Sequence, residues 1–256
     1  MSELKIDGLS CGYGGADIVK NVSLNVQGGE TVAIAGPNGC GKTTLLRAVC
    51  GLIPITAGGV FIDGKSVAEI SPKERAQKIA MLSQTGAGGD YFGYTVLNTV
   101  LMGRYSRQKG TVFSETSRED ISAAERCIAE VGLENCEDRL ITELSGGQLQ
   151  RVFLARAFAQ EPDILLLDEP ANHLDIKSQN ELAELLKRFA ESGKAVVGVF
   201  HDISFAAAVS DRILLMKNGE AADCGNAEDI VKSEKLSEVF GTDIRAYMKK
   251  VLKIWE

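Results

Sequence analysis

No uninterrupted apolar stretch of about 18 residues occurs in the 256-residue sequence, so no membrane-spanning helix is expected. The opening Met1-Ser2-Glu3-Leu4-Lys5 lacks the apolar core of a secretion signal, and the expectation is a chain that neither crosses a membrane nor is exported. Histidine is confined to His173 and His201. The six cysteines (Cys11, Cys40, Cys50, Cys127, Cys136, Cys224) include no Cys-x-x-Cys pair, which removes clustered zinc sites and points to free thiols in a reducing cytoplasm. An excess of positive charge is also missing. The net charge of -7 and pI near 5.1 give no general attraction to nucleic acid, and no nucleic-acid partner is expected. Repeats and low-complexity tracts are absent, and with 45% hydrophobic and 25% charged residues the chain can bury the core of one globular α/β unit.

Glycine, by contrast, is plentiful at 27 residues, and its most telling use is Gly36-Pro37-Asn38-Gly39-Cys40-Gly41-Lys42-Thr43-Thr44. This stretch follows the apolar run Thr31 to Ala35 and leads into Leu45-Leu46-Arg47-Ala48-Val49, giving strand, glycine turn and helix with the spacing of a phosphate-binding loop. Residues without a Cβ at positions 36, 39 and 41 let the backbone curl so that successive N–H groups face phosphate oxygens. The helix beginning near Lys42 adds its positive end, Lys42 is suited to the outer phosphates, and the Thr43 hydroxyl to Mg²⁺. A nucleoside triphosphate with magnesium is therefore expected.

Elsewhere the pattern is that of an α/β chain with an interruption. Val22-Ser23-Leu24-Asn25-Val26 alternates with period two, predicting antiparallel sheet in the first 30 residues. Within the preceding glycine-rich turn, Tyr13 is either plain packing or a platform for a nucleobase. Ser71-Pro72-Lys73-Glu74 marks a helix start, and Lys78 to Leu82 a buried strand that carries Gln84 at the ligand edge of the sheet. From residue 86 to 160 the alternation breaks. Ile121, Ala124, Ile128 and Val131 share one helical face ending at Gly132, so 86–160 reads as an inserted helical subdomain and 1–85 with 161–256 as the nucleotide-binding α/β core. Beyond it, Ile164 to Leu167 predicts a continuous apolar strand, Leu182, Leu185, Leu186 and Phe189 a helix stopped by Gly193, and Ala195 to Phe200 and Arg212 to Met216 two more strands.

Two further constellations carry chemistry. Asp168-Glu169 at a strand end offers one carboxylate for Mg²⁺ and a second to orient and deprotonate water; the plain alternative is a pair of solvated acids at a turn. Leu144-Ser145-Gly146-Gly147-Gln148 opens another helix and forms a second anion site, unless it is an ordinary N-cap. One triphosphate does not need both sites. The economical arrangement is two copies paired head to tail, each closing its Ser-Gly-Gly turn over the nucleotide held by the other.

The order GPNGCGKTT, Gln84, LSGGQ, ILLLDEP, Asn172-His173-Leu174-Asp175 and His201-Asp202 resembles the nucleotide-binding subunit of an ATP-binding cassette (ABC) transporter over nearly the whole chain. The fold so implied is a P-loop α/β ATPase with a mixed or parallel core sheet, an N-terminal antiparallel β part and a helical insertion. The resemblance implies ATP with its adenine on Tyr13, Glu169 as general base, and His201 as γ-phosphate sensor. It also implies Asp175 in a loop signalling between the two sites, and Gln84 linking Mg²⁺ to a membrane partner. The partners implied are a second copy and integral membrane permease subunits, with a substrate-binding protein acting through them, at the inner face of the cell membrane.

Val100-Leu101-Met102-Gly103-Arg104-Tyr105, with Ala171 to Asp175, resembles cassettes of bacterial importers of iron chelates, haem and cobalamin, and import of such a cargo is expected. A soluble ABC ATPase of the Fe–S assembly kind is the alternative. The discriminating feature is the aromatic cluster Tyr91, Phe92, Tyr94 and Tyr105 after Gln84, which suits a groove for a partner's helix or else is subdomain core. The segment Ala246 to Glu256 reads as a last packed element or a basic amphipathic end. Cys40, beside Lys42 and a helix N-terminus, is expected to have a lowered thiol pKa and to react with a maleimide unless ATP covers it.

Overall fold

A computed structural model describes residues 2–83, 93–108, 116–172 and 174–253. Gln84, Tyr91, Phe92, His173 and the last three residues lie outside the described residues. The chain opens with β1 (Glu3–Cys11) and β2 (Val19–Gln27), paired antiparallel with Leu4 opposite Val26 and Ile6 opposite Leu24. Alternation puts Leu4, Ile6, Leu9, Val22, Leu24 and Val26 inward, as their period of two demands. The chain then enters the fully buried β3 (Thr31–Ala35) and the phosphate-loop helix α1 (Lys42–Val49). Strands β4 (Ile55–Ile62) and β5 (Lys65–Ser66) return to the other side of β1, completing a small sheet of order β2-β1-β4-β5.

Helix α2 (Pro72–Lys78) starts where Ser71 accepts the N–H of Glu74, and it runs directly into β6 (Ile79–Leu82). Between Leu82 and Ile164 the described residues contain helices and one isolated bridge, Thr95 to Leu140. These helices are α3 (Val96–Leu101), α4 (Arg118–Glu130) and α5 (Gly146–Ala159). The α4 face carrying Ala124 and Ile128 is buried, and Gly132 follows at φ 71°, a left-handed stop. The remaining elements are β7 (Ile164–Asp168), α6 (Ile176–Glu191), β8 (Ala195–Val199), α7 (Ile203–Val209), β9 (Arg212–Lys217), β10 (Glu220–Asn226), α8 (Ala227–Lys232), α9 (Glu234–Phe240) and α10 (Ile244–Leu252).

The second sheet has the order β10-β9-β3-β8-β7-β6, parallel except for β10 at its edge. Its strands are apolar on both faces because both are covered. Ala33, Ala35, Leu165, Leu167 and Val196 face the helices α5 and α6, while Val32, Ile34, Leu166, Val197 and Leu214 face α1 and the small sheet. Register aligns the strand ends: Leu82 lies opposite Leu167, Asp168 opposite Val199, and Val199 opposite Ile34. Whatever follows these strands therefore emerges along one edge, the ligand edge of a parallel sheet.

The segment Val100 to Tyr105 is largely structural. Arg104 is buried, its Nε bonding Asp120 Oδ1 at 3.0 Å and its Nη1 the Ala159 carbonyl at 2.8 Å and Glu161 Oε1 at 3.0 Å. Gly103 lies so close to α5 that a Cβ there would stand 2.2 Å from the Arg156 carbonyl oxygen. Tyr94 and Tyr105 stay exposed. Gly103→Ala is expected to force α3 and α5 apart and lower the unfolding free energy by about 1–3 kcal/mol, read as a reduced urea midpoint at unchanged slope.

Candidate functional site

Three loops meet at the aligned strand ends. After β3, Gly36 approaches β9 so closely that a Cβ would sit 2.1 Å from the Met216 carbonyl oxygen, so only glycine begins this loop. Lys42 is buried, and its ammonium donates to the carbonyls of Gly36 at 2.8 Å and Pro37 at 3.0 Å, cinching the loop around its own cation. After β7, Glu169 adopts φ 56°, left-handed for a residue with a Cβ, with its N–H bonded to the Val199 carbonyl at 3.0 Å. That conformation is strained and is held by neighbours on both sides. After β8 comes His201, whose Nε2 lies 3.2 Å from Glu169 Oε1, while Asn172 Nδ2 donates to Glu169 Oε2 at 2.5 Å. The general-base candidate thus has each oxygen engaged by a different side chain.

Thr43 and Asp168, 125 positions apart, meet through a 2.8 Å hydrogen bond from the hydroxyl to Oδ1. Asp168 is buried, and burial pushes its pKa up. The Thr43 bond and the charges of Arg47 and Lys42 oppose this, while neighbouring Glu169 adds to it. A carboxylate left short of compensation beside a hydroxyl oxygen is the hard, oxygen-only donor set that suits Mg²⁺. Among the described residues no group of three His, Cys, Asp or Glu side chains is arranged to hold a metal, so these two donors would share the ion with phosphate oxygens.

A cleft of about 540 Å³ opens over these groups, lined by Asn38, Gly39, Gly41, Lys42, Thr43, Thr44, Glu169, His201 and Ile18. Its volume is that of a small-molecule site. Tyr13 does not line it; it stands 55% exposed with its hydroxyl accepting from Arg47 Nη1 at 3.0 Å. Ile18, which lies in no recognisable motif, takes part in the lining instead. Asn172 was also outside the roles read from sequence, although a side-chain amide three residues after Glu169, across a Pro170 turn, was a signal that it could reach back.

Ser145, Gly146, Gly147 and Gln148 do not line the cleft of their own chain. They form a capping box at the start of α5, in which Ser145 Oγ accepts the N–H of Gln148 and Gln148 Oε1 accepts that of Ser145. Ser145 and Gly146 are exposed, so the first N–H groups of α5 face outward. One turn further on, Gln150 Nε2 donates to the Pro170 carbonyl at 3.1 Å and Arg151 pairs with Glu181 on α6, fastening this helix to the loop that carries Glu169. Asp175 caps α6 by accepting the N–H of Ser178 at 2.7 Å.

The expectation for Cys40 is corrected. The thiol is buried, and burial raises its pKa by more than the Lys42 charge and the backbone N–H groups of Lys42 and Cys40 lower it. The loop amides that would favour a thiolate face phosphate space, whereas the sulfur faces inward, 3.0 Å from the point a Cβ on Gly36 would occupy.

The family model described as ABC transporter matches residues 19–172. Over 244 residues the chain is 42% identical to the ABC transporter ATP-binding protein YvrA of Bacillus subtilis, covering 95% of this chain and 54% of that one. It is 37% identical to the hemin import ATP-binding protein HmuV of Rhodococcus jostii, with 93% and 80% covered. To the petrobactin import ATP-binding protein YclP of B. subtilis it is 35% identical, with 94% of each chain covered. Among solved structures, an inward-facing metal-chelate type ABC transporter superposes with TM-score 0.81 at 28% identity, over 93% of this chain and 89% of that one. A dimeric bacterial ABC transporter cassette does so with TM-score 0.76 at 32% identity, over 88% and 98%.

With a maleimide at neutral pH, the exposed Cys224 is expected to be labelled well before the buried Cys40, whose labelling accelerates only as pH climbs beyond the ordinary thiol range near 9. Peptide mass spectrometry over a pH series checks the order.

Proposed function

Because the chain belongs to the ABC transporter family, as one of its ATP-binding, ATP-hydrolysing subunits, we propose that it powers import of a metal chelate of the siderophore, haem or cobalamin type, working as a homodimer docked on membrane permease subunits. The observation that carries the ATPase chemistry is the convergence of Lys42, Thr43, Asp168, Glu169 and His201 on one cleft. The choice of cargo rests on the relatives that serve petrobactin and hemin import and on the metal-chelate type transporter structure.

In this reading the loop from Gly36 to Thr44 and the ammonium of Lys42 hold the phosphates of ATP, with Tyr13 near the adenine. Thr43 and Asp168 hold Mg²⁺, which when bound neutralises phosphate charge. Glu169 takes a proton from the attacking water, and Asn172 and His201 fix its two oxygens until then. The imidazole of His201 then turns its N–H to the charge developing on the γ-phosphate. Preorganised groups of this kind need little rearrangement when the reaction occurs. Gln84, with the exposed Tyr94 and Tyr105, faces the permease.

The second half of each site comes from Ser145, Gly146, Gly147 and Gln148 of the other copy. ATP favours the closed pair because only there do both anion sites touch it, and loss of the γ-phosphate releases the pair. Asp175 and the Gln150 and Arg151 contacts lie along the route from one site to the other within a chain. The helical insertion 86–160 carries the permease-facing surface. Among the described residues no helix is long and apolar enough to cross a membrane, consistent with a peripheral subunit held at the inner face by its partners.

Glu169→Gln is expected to keep ATP binding and to slow hydrolysis by roughly 10² to 10⁴. A near-normal rate removes Glu169 from the general-base role. Ser145→Arg is expected to bind ATP as a monomer and fail to dimerise with it; dimerisation at the normal ATP concentration contradicts the shared-site reading. Purification from a membrane extract tests the import assignment: an integral membrane partner supports it, and an exclusively soluble partner counts against it.

A further inference from the structure

The C-terminal lobe presents a surface that the nucleotide cleft does not use. No residue of α10 is buried. Ile244, Met248 and Val251, at helical spacing, are half-buried, while Tyr247 and Leu252 stand 64% and 59% exposed. Alongside runs an apolar groove of about 340 Å³, lined by Ile203, Ala207, Val231, Leu236, Met248 and Leu252.

Charge around the groove is divided. Helix α10 and the residue after it carry Arg245, Lys249, Lys250 and Lys253 with no acid among them, in a chain whose net charge is -7. None of the four is in an ion pair among the described residues. Helices α8 and α9 carry Glu228, Asp229, Glu234 and Glu238; Lys232 and Lys235 are paired with Glu228 and Glu238, which leaves Asp229 and Glu234 outside those pairs. The groove also reaches the residues directly after His201-Asp202: Ile203 and Ser204 line it, and Ser204 Oγ lies 3.8 Å from Met248 Sδ. This surface is therefore continuous with the side of the molecule on which the nucleotide cleft opens.

We propose that α8, α9 and α10 form a second contact between two copies of the chain, made without nucleotide, in which the basic helix of each copy meets the acidic pair of the other. A basic and an acidic patch side by side are self-complementary about a two-fold axis, each pairing occurring twice. Tyr247 and Leu252 supply the apolar anchors such a contact needs. A flat anionic membrane is a poorer match, because the same approach would press Asp229 and Glu234 against like charge. The proposal rests on the reading that the chain works as a pair. It gives the contact the task of keeping the two copies together while their ATP sites are open.

The test uses the full-length chain without nucleotide, in EDTA and low salt, by sedimentation velocity. Wild type is expected to self-associate. K249E/K250E and D229K/E234K are each expected to raise the apparent Kd at least tenfold, and an equimolar mixture of the two to recover association, since opposite charges then face each other at both pairings. Recovery on mixing also separates lost contact from lost folding. The proposal is overturned if wild type stays monomeric, if the reversed variants sediment like wild type, or if mixing recovers nothing. Binding of monomeric wild type to phosphatidylglycerol vesicles in place of self-association would give α10 to a membrane and overturn it too. ATP-driven dimerisation of Glu169→Gln is followed in parallel: its failure counts against the ATP-closed pair, while the nucleotide-free measurement alone decides this contact.

Discussion

The bond from the Thr43 hydroxyl to Asp168 joins the phosphate loop to the second carboxylate-bearing strand across 125 residues of sequence. It exists because β3, β8 and β7 lie side by side in register, ending level at Ile34, Val199 and Asp168. Backbone pairing, and not any side chain, sets that alignment. The cost appears in Asp168, whose carboxylate is buried with less compensation than its charge requires, and whose pKa is raised for that reason. A site built with such a shortfall favours whatever cation and phosphate can make it good.

The same edge holds Glu169 in a backbone conformation unusual for a residue with a side chain. The Val199 carbonyl, Asn172 and His201 together hold it there. Three elements thus constrain one carboxylate, and a loosened packing of α6 or β8 would be felt at the reacting water. The Gln150 bond to Pro170 extends this dependence to the helix that begins at Ser145. One chain therefore ties its own catalytic loop mechanically to the turn it offers a neighbour.

Much of this was legible in the sequence because its signals are local. Period-two alternation in Val22 to Val26, the Ser71-Pro72-Glu74 cap, the apolar run ending in Asp168 and the left-handed stops at Gly132 and Gly193 each report on a few neighbouring residues. What could not be read depended on residues distant in the chain. Ile18 enters the cleft lining because of how β1 and β2 fold over α1, and no motif encodes that. Cys40 misled because proximity to Lys42 and a helix start argues for a low pKa, while the direction of its side chain, into the core, decides the opposite. Gly103 and Arg104 carry no local sign that they pack against α5 and α4. The C-terminal helix showed its basic, amphipathic character in sequence, but which of its faces stays uncovered depends on α7 to α9.

The central physical claim is that the cleft over Lys42 and Glu169 is half of a catalytic site, because the outward N–H groups at Ser145 to Gly147 belong to a different cleft from the one their own chain contains. The most direct measurement is the specific ATPase activity of the purified wild-type chain over a wide dilution series at saturating ATP. The account predicts that activity per chain falls as the protein is diluted and rises with a second-order dependence at the low end. Activity per chain that stays constant down to concentrations at which sedimentation finds only monomers would contradict it.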